Sequence, residues 1–432
     1  MKGKEITILG AGISGLALGY YLRQKHPNAT ITLIDKSETV GGVIDTTIVD
    51  GFLFERGART FKVKRCHELL RLISACGLQS DLIGYDPPFR RHYIWREGKL
   101  NNVTMNPFAF FTNPITRGLW TAFFREHNQP PSSGDETVWD FGSRRFGPRF
   151  TDGILDPMLR GIFGGDIRKL SIRATMGTLK RYEEDYGSVT NGIRHNLFRS
   201  KPPCPVEGLA KADLFTLRGG MRSLGEAIVK TAGLNFRGGE EVLTLPDYET
   251  LYMALPLDGV KRLLNDEVAN EFFDSVDMVD LISVNLGYRK RVLKKGGYGY
   301  LLSSLEPGYV MGAIFDSEIF PQQNTHPEET RLTVMMGGAQ HPEQINHSDE
   351  EILKIAKESI EHHLGIKGEP DATFISRYPR AIPQYYVNHL DRLKNFELYM
   401  KQKWPHIHLV GNYMRGPSVN ECVLNAQRVA NS

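Results

Sequence analysis

Cysteine is scarce in this chain of 432 residues: Cys66, Cys76, Cys204 and Cys422 are the whole complement, with no C-x-x-C pair. That spacing excludes a disulfide framework and suits free thiols in a reducing, cytoplasmic compartment. Zinc-type patterns are missing as well. There is no H-E-x-x-H and no Cys/His cluster, and His362-His363 reads as a surface pair on a helix. No metal is expected. Neither sign of charge dominates: the net charge is +3, with no basic tail, so an electrostatic nucleic-acid binder is excluded. No apolar run reaches the length that crosses a bilayer, and repeats and low-complexity tracts are absent. What remains is an ordinary soluble composition, 41% hydrophobic, long enough for two or three domains.

One stretch stands out against this plain background. Ile6-Thr7-Ile8-Leu9 reads as a buried parallel strand, and Gly10-Ala11-Gly12-Ile13-Ser14-Gly15 turns the chain into a helix over Leu16 to Lys25. A second strand, Thr30 to Ile34, ends on Asp35, which stands about twenty residues beyond Gly15. This is the dinucleotide-binding pattern. Gly10 allows the tight turn, Gly12 lets the backbone approach a pyrophosphate, and Gly15 brings the helix close to the strand. The N–H groups of Ile13 and Ser14 open the helix towards the phosphates. Asp35 accepts from ribose hydroxyls and disfavours a 2′-phosphate. Lys2 and Lys4 before an apolar run also resemble a signal peptide, but three glycines and Ser14 argue against one.

Downstream residues choose between FAD and NAD. Gly41-Gly42 follows the second strand, and Gly51-Phe52-Leu53-Phe54-Glu55-Arg56-Gly57-Ala58-Arg59 comes soon after. A longer flavin dinucleotide has a use for a second backbone-lined path, whereas a nicotinamide enzyme does not; the bland alternative is a pair of turns. Next comes a helix from His67 to Cys76. Arg90-Arg91-His92 then precedes a hairpin turning at Glu97-Gly98, either facing an anionic substrate or forming a solvated edge.

From residue 107 the character becomes helical. Phe108, Phe110, Phe111, Leu119, Trp120, Phe123 and Phe124, beside Arg117 and Arg125, either dip into a membrane interface or pack over a substrate cavity. Helices are predicted over Val138 to Phe146, over Phe150 to Ile162 and after Arg173. The chain returns through a helix ending near Ala232 and strands at Glu241 to Leu245 and Thr250 to Leu255. An antiparallel sheet follows between Ile282 and Met336, covered by a helix from about Glu350 to Leu364. Tyr378 to Tyr385 is a Pro-bounded crossing segment. Finally a strand at Ile407 to Val410 ends at Gly411, and Ser418 with Glu421 forms an S-x-x-E capping box for a helix to about Ala430. Its N-terminus, with Val419, would favour negative charge on a reduced flavin ring if aimed there.

With these residues assembled, the chain resembles the flavin amine-oxidase superfamily and, within it, the family of protoporphyrinogen oxidases. The likeness runs nearly end to end, through VGGVI at Val40, FLFERGARTF at Phe52, REGKL at Arg96 and RRFG at Arg144. It continues in GGDIRKLSIRAT at Gly164, LRGGMRSLGEAI at Leu217 and VGNYMRGPSVNECV at Val410. The resemblance implies an α/β fold. A discontinuous, Rossmann-like FAD-binding domain would comprise 1–84, 206–258 and 402–432; an antiparallel-sheet substrate domain 85–106 and 259–401; and a helical, peripherally membrane-associating insertion 107–205.

It also implies FAD held by Gly10, Gly12, Ile13, Ser14, Gly15, Asp35 and Lys36, with Gly41, Gly42, Gly57 and Ala58 along the flavin path. Val242 would lie at the adenine side, and Gly411, Ser418 and Val419 at the ring. Substrate carboxylates would meet Arg91, with Arg90 and His92 beside it. The implied reaction is six-electron oxidation of a porphyrinogen with dioxygen as acceptor, in a monomer or homodimer. It needs no side-chain nucleophile or metal, because flanking pyrroles activate the bridge C–H bonds and the protein supplies placement. Two departures stand out. Thr39 replaces the arginine before the glycine pair, and the hairpin before the Ala254-Leu255-Pro256 strand is cut to Pro246–Glu249. Coproporphyrinogen oxidation is the alternative substrate reading; a flavin desaturase or amine oxidase and a non-catalytic lipid-binding relative are the others.

Overall fold

The computed structural model describes residues 4–86, 91–103, 115, 120–197, 199 and 202–432, with backbone alone at Trp120 and Phe123. Arg90, Phe108, Phe110, Phe111, Arg117 and Leu119 lie outside the described residues.

A five-stranded parallel sheet forms the base of the molecule. Its order is Asn235–Arg237, Thr30–Ile34, Glu5–Leu9, Leu251–Met253, Ile407–Leu409, so three distant stretches of chain meet in one layer. The side-chain period of two divides the first strand between two cores. Ile6 and Ile8 join Leu16, Leu224, Ile228 and Val423 on one face. Leu9 joins Met253, Val260, Phe272 and Phe396 on the other. Burial on both faces explains why these strands read as apolar runs rather than alternating ones.

A seven-stranded sheet stands beside it, in the order Ala372–Gln384, Asp277–Tyr288, Thr330–Gly337, Val310–Ile314, Gly299–Leu302, His92–Arg96, Lys99–Val103. It is antiparallel except where Gly299–Leu302 meets His92–Arg96. The predicted hairpin turns through Glu97 and Gly98, both at positive φ (52° and 71°). The Asp349–Leu364 helix covers one face and carries a complete capping box between Ser348 and Glu351.

The helical insert packs on its own core of Phe141, Leu155, Leu159, Phe163 and Ile172. Thr137 caps the Val138–Arg145 helix, and Ser171 caps the Ile172–Tyr186 helix, which Gly187 ends in the left-handed conformation. Arg145, Lys180, Glu126 and Glu183 are buried among these helices as an ion-paired cluster.

Three expectations are corrected. Glu241–Leu245 is not a strand: Asn235–Arg237 takes the sheet edge, and Gly239 (φ 72°) turns the chain away, leaving Leu243 63% exposed. With the following connection so short, no second strand stands opposite to pair with it. Tyr378–Gln384, expected only as part of a Pro-bounded crossing segment, is the end of the thirteen-residue strand Ala372–Gln384. Pro379 and Pro383 are tolerated because this strand is at the sheet edge. His363 is not on the surface. It is buried, with Nδ1 2.8 Å from the Tyr300 hydroxyl and its ring against Trp95, and burial pulls its pKa down to about 4.

Candidate active site

A cavity of about 2320 Å³ opens where the parallel strands end, the position at which open α/β sheets bind ligands. Leu9, Ile34, Ala254 and Gly411 line it from successive strand ends.

The glycine turn forms its floor. Gly10 sits at φ +99°, and a Cβ there would stand 2.4 Å from the Ala254 carbonyl oxygen. A Cβ on Gly15 would stand 1.9 Å from the Gly10 carbonyl oxygen, so only glycine lets the Ile13–Lys25 helix leave the strand so closely. Gly12 differs: a Cβ there would meet nothing within 4 Å. It would project into the cavity. No side chain caps this helix, so its first N–H groups remain for a ligand. Ile13 and Ser14 line the cavity beside Gly10 and Gly12.

Asp35 is fixed at the rim. Its Oδ2 accepts from the Ala11 N–H at 2.7 Å and its Oδ1 from the Ser37 N–H at 2.8 Å, and Lys36 lines the cavity next to it. Gly41 and Gly42 fold back onto the turn. The Gly41 N–H donates to the Ala11 carbonyl at 2.9 Å, and Gly12 and Gly41 pair as a parallel bridge. Ala58 and Val242 also line the cavity, as do Ser418 and Val419 at the start of the Val419–Asn431 helix. Two sequence-predicted residues act from behind. Gly15 takes the packing role already described, and Gly57 lies so near that a Cβ would stand 1.8 Å from the Val43 carbonyl oxygen. Of the predicted capping box only one half is present: Ser418 accepts from the Glu421 N–H at 3.3 Å.

These features fit a dinucleotide. The glycine floor, the uncapped helix start and the anchored carboxylate leave an open groove where a Cβ would intrude. Thr39, the departure from the superfamily pattern, lines the same groove with a hydroxyl in place of a cation.

The far wall was not legible as a site in the sequence. Met158, Ile162, Phe163, Met176 and Leu179 present apolar side chains from the helical insert, and Ile162 is 53% exposed although apolar. The Ile172–Tyr186 helix breaks at Met176 (φ −127°, ψ 37°), and Arg173, Gly177, Thr178 and Arg181 line the cavity around the break. Tyr378, Arg380 and Ile382 line it from the edge strand. His389 is fully buried in the wall: burial lowers its pKa to about 4, so the ring is neutral, and Nε2 sits 2.8 Å from the Met414 carbonyl. The GGDIRKLSIRAT segment ends among them, in Arg173, Ala174 and Thr175, but carries no site pattern of its own; tertiary packing assembles these residues.

Arg91 and His92 lie elsewhere. Both are exposed at the start of the His92–Arg96 strand, His92 stacks on Tyr298 at 4.1 Å, and neither is among the described residues lining this cavity. Arg59, inside the ERGAR segment, is buried and donates to Ser283 and Thr333, tying that segment to the antiparallel sheet.

Residues 13–432 match the model of a family described as flavin containing amine oxidoreductase. A human protoporphyrinogen oxidase is 28% identical over 468 residues, spanning 99% of this chain and 98% of the relative. A coproporphyrinogen III oxidase of Staphylococcus aureus is 23% identical over 462 residues, spanning 99% and 98%. Among solved structures, an Exiguobacterium protein assigned as a protoporphyrinogen oxidase superposes with a TM-score of 0.86 at 23% identity, over 100% of this chain and 98% of that one.

Proposed function

The chain belongs to the flavin-containing amine oxidoreductases and is an FAD-dependent oxidase, and from that premise we propose that it oxidises protoporphyrinogen IX to protoporphyrin IX. The observation that carries the reading is one continuous cavity, joining a glycine-floored nucleotide groove to an apolar wall of the helical insert. The groove residues hold the cofactor: Gly12 and the start of the Ile13–Lys25 helix take the pyrophosphate, and Asp35 the ribose. When bound, FAD supplies a hydride acceptor whose electrons pass on to dioxygen. The chain's own part is placement. Met158, Ile162 and Met176 offer an apolar face to the puckered, largely apolar macrocycle. The Val419–Asn431 helix, starting at the cavity, places its positive end where negative charge develops. Neutral His389 holds the Met414 carbonyl and so shapes the loop before that helix.

A second reading is coproporphyrinogen III oxidation to coproporphyrin III. It is favoured by the several arginines that line the substrate half, among them Arg173, Arg181 and Arg380, and by the staphylococcal relative. The division into a discontinuous FAD domain, a substrate domain and an insert belongs to the same proposal. So does peripheral contact of the insert with a membrane face: Phe124 is 70% exposed, and no helix among the described residues is long and apolar enough to cross a bilayer.

The test is direct. The purified chain is loaded with FAD and supplied under air with protoporphyrinogen and, separately, coproporphyrinogen. Faster growth of porphyrin fluorescence on protoporphyrinogen is the expected result; preference for coproporphyrinogen selects the second reading, and turnover of neither contradicts both.

A further inference from the structure

We propose that Arg181 receives a carboxylate of the substrate and thereby sets how the macrocycle is oriented against the insert wall. The inference rests on the porphyrinogen reading above.

Cations on the substrate half of the cavity are mostly committed. Arg173 is paired with Glu184 at 2.6 Å, Arg380 with Asp258 at 2.6 Å, Arg415 with Glu397, and Lys180 with Glu183 at 2.6 Å. Arg181 is not. Its one side-chain bond is to the Thr178 hydroxyl at 3.4 Å, one turn back on the same helix, and no carboxylate among the described residues pairs with it. The remaining uncommitted cations, Lys36, Lys62 and Arg65, belong to segments around the nucleotide groove.

The helix geometry gives Arg181 somewhere to reach. Thr178 and Arg181, one turn apart beyond the break at Met176, both line the cavity. Helical side chains lean towards the N-terminus, so the Arg181 guanidinium turns back towards Thr178. Gly177 has no side chain, and a Cβ there would meet nothing within 4 Å. Next to the break at Met176 the cavity therefore meets bare backbone at Gly177, with a guanidinium that no described carboxylate pairs one turn further on. The edge of the macrocycle can approach such a stretch while a propionate arm turns up to the cation. A carboxylate carried against apolar walls needs a partner to offset its desolvation, and the planar guanidinium meets it with two parallel hydrogen bonds.

The test uses the FAD-loaded full chain under air with protoporphyrinogen and with its dimethyl ester, comparing wild type, Arg181→Ala and Arg181→Lys. Arg181→Ala is expected to raise KM for the diacid about tenfold, the scale of one charge-assisted bond at a solvent-reached site, with kcat changed less than about twofold. Arg181→Lys falls between. On the ester, wild type and Arg181→Ala have the same KM. An unchanged KM for the diacid overturns the proposal, and so does an equal rise on the ester, which would mean that the substitution acts through the shape of the wall. Wild type that oxidises neither compound overturns the porphyrinogen reading itself, a result separable from either of these. Equal flavin content in all three proteins confirms that the variants are folded.

Discussion

At the nucleotide end of the cavity the wall is main chain, and at the substrate end it is side chain. Gly10, Gly12, Gly41 and Gly42 expose backbone to the ligand, and their neighbours leave no room for anything larger at Gly10. Across from them Met158, Ile162, Met176 and Arg181 reach in from helices held together by a buried ion cluster. On the proposed reading, the first end recognises what every FAD shares, phosphate and ribose. The second recognises one substrate, and needs only that its helices stay in place. Substitutions should therefore fail differently at the two ends.

The sharpest break is within the turn itself. Gly15→Val forces a side chain into the Gly10 carbonyl and is expected to yield colourless, unstable protein. Gly12→Ala meets only open space, so the flavin-free protein should melt within about a degree of wild type yet retain far less flavin. Equal melting and equal flavin content would show that Gly12 does not face the cofactor.

Next in size is the insert's charge cluster. Glu183 is fully buried; burial raises its pKa, but hydrogen bonds from Arg144, Lys180 and Arg145 outweigh that and hold it at about 2. Glu183→Ala leaves Arg145 with Glu126 and Lys180 with Glu136 as their remaining carboxylate partners, at a cost of about 3 kcal/mol in unfolding free energy at neutral pH, the low end for a broken buried pair. Because the folded value lies below the unfolded one, this stabilisation is complete above about pH 4.5 and is lost as pH falls towards 2. Urea titrations at several pH values measure both.

The nucleotide half responds to pH with the opposite sign, and more weakly. Glu55 is buried, accepting from the Thr46 hydroxyl at 2.8 Å and the Met221 N–H at 2.9 Å. Burial outweighs those bonds and raises its pKa to about 7. Ionising it costs stability as pH rises from about 4.5 to 7. Glu55→Gln should be more stable than wild type above pH 7, by about 1–2 kcal/mol, with the difference vanishing below about pH 4.5. A variant less stable than wild type at pH 8 would show that the carboxylate is favoured where it sits.

The same contrast explains what could be read before the structure. A cradle made of backbone leaves glycines at fixed spacing, and strands buried on both faces leave apolar runs, so Ile6 to Gly42 announces itself. The Asp349–Leu364 helix was equally legible, because Ser348 and Glu351 cap it locally. A wall made of side chains leaves no such spacing: Arg181 lines the cavity beyond the break at Met176, and Gly177, which weakens the helix there, does not tell which side chains the cavity takes. Pro379 and Pro383 disguised an edge strand as a crossing segment. Polar His363 passed for a surface residue because its partner, Tyr300, is 63 positions away.

The most direct measurement is anaerobic mixing of protoporphyrinogen with the FAD-loaded chain in more than threefold excess, because the six-electron oxidation reduces three flavins, while the visible absorbance of the flavin and the fluorescence of porphyrin are recorded together. The account predicts that the flavin bleaches as porphyrin appears, because both lie in one cavity. Porphyrin forming with the flavin spectrum unchanged, or no change in either, would contradict it.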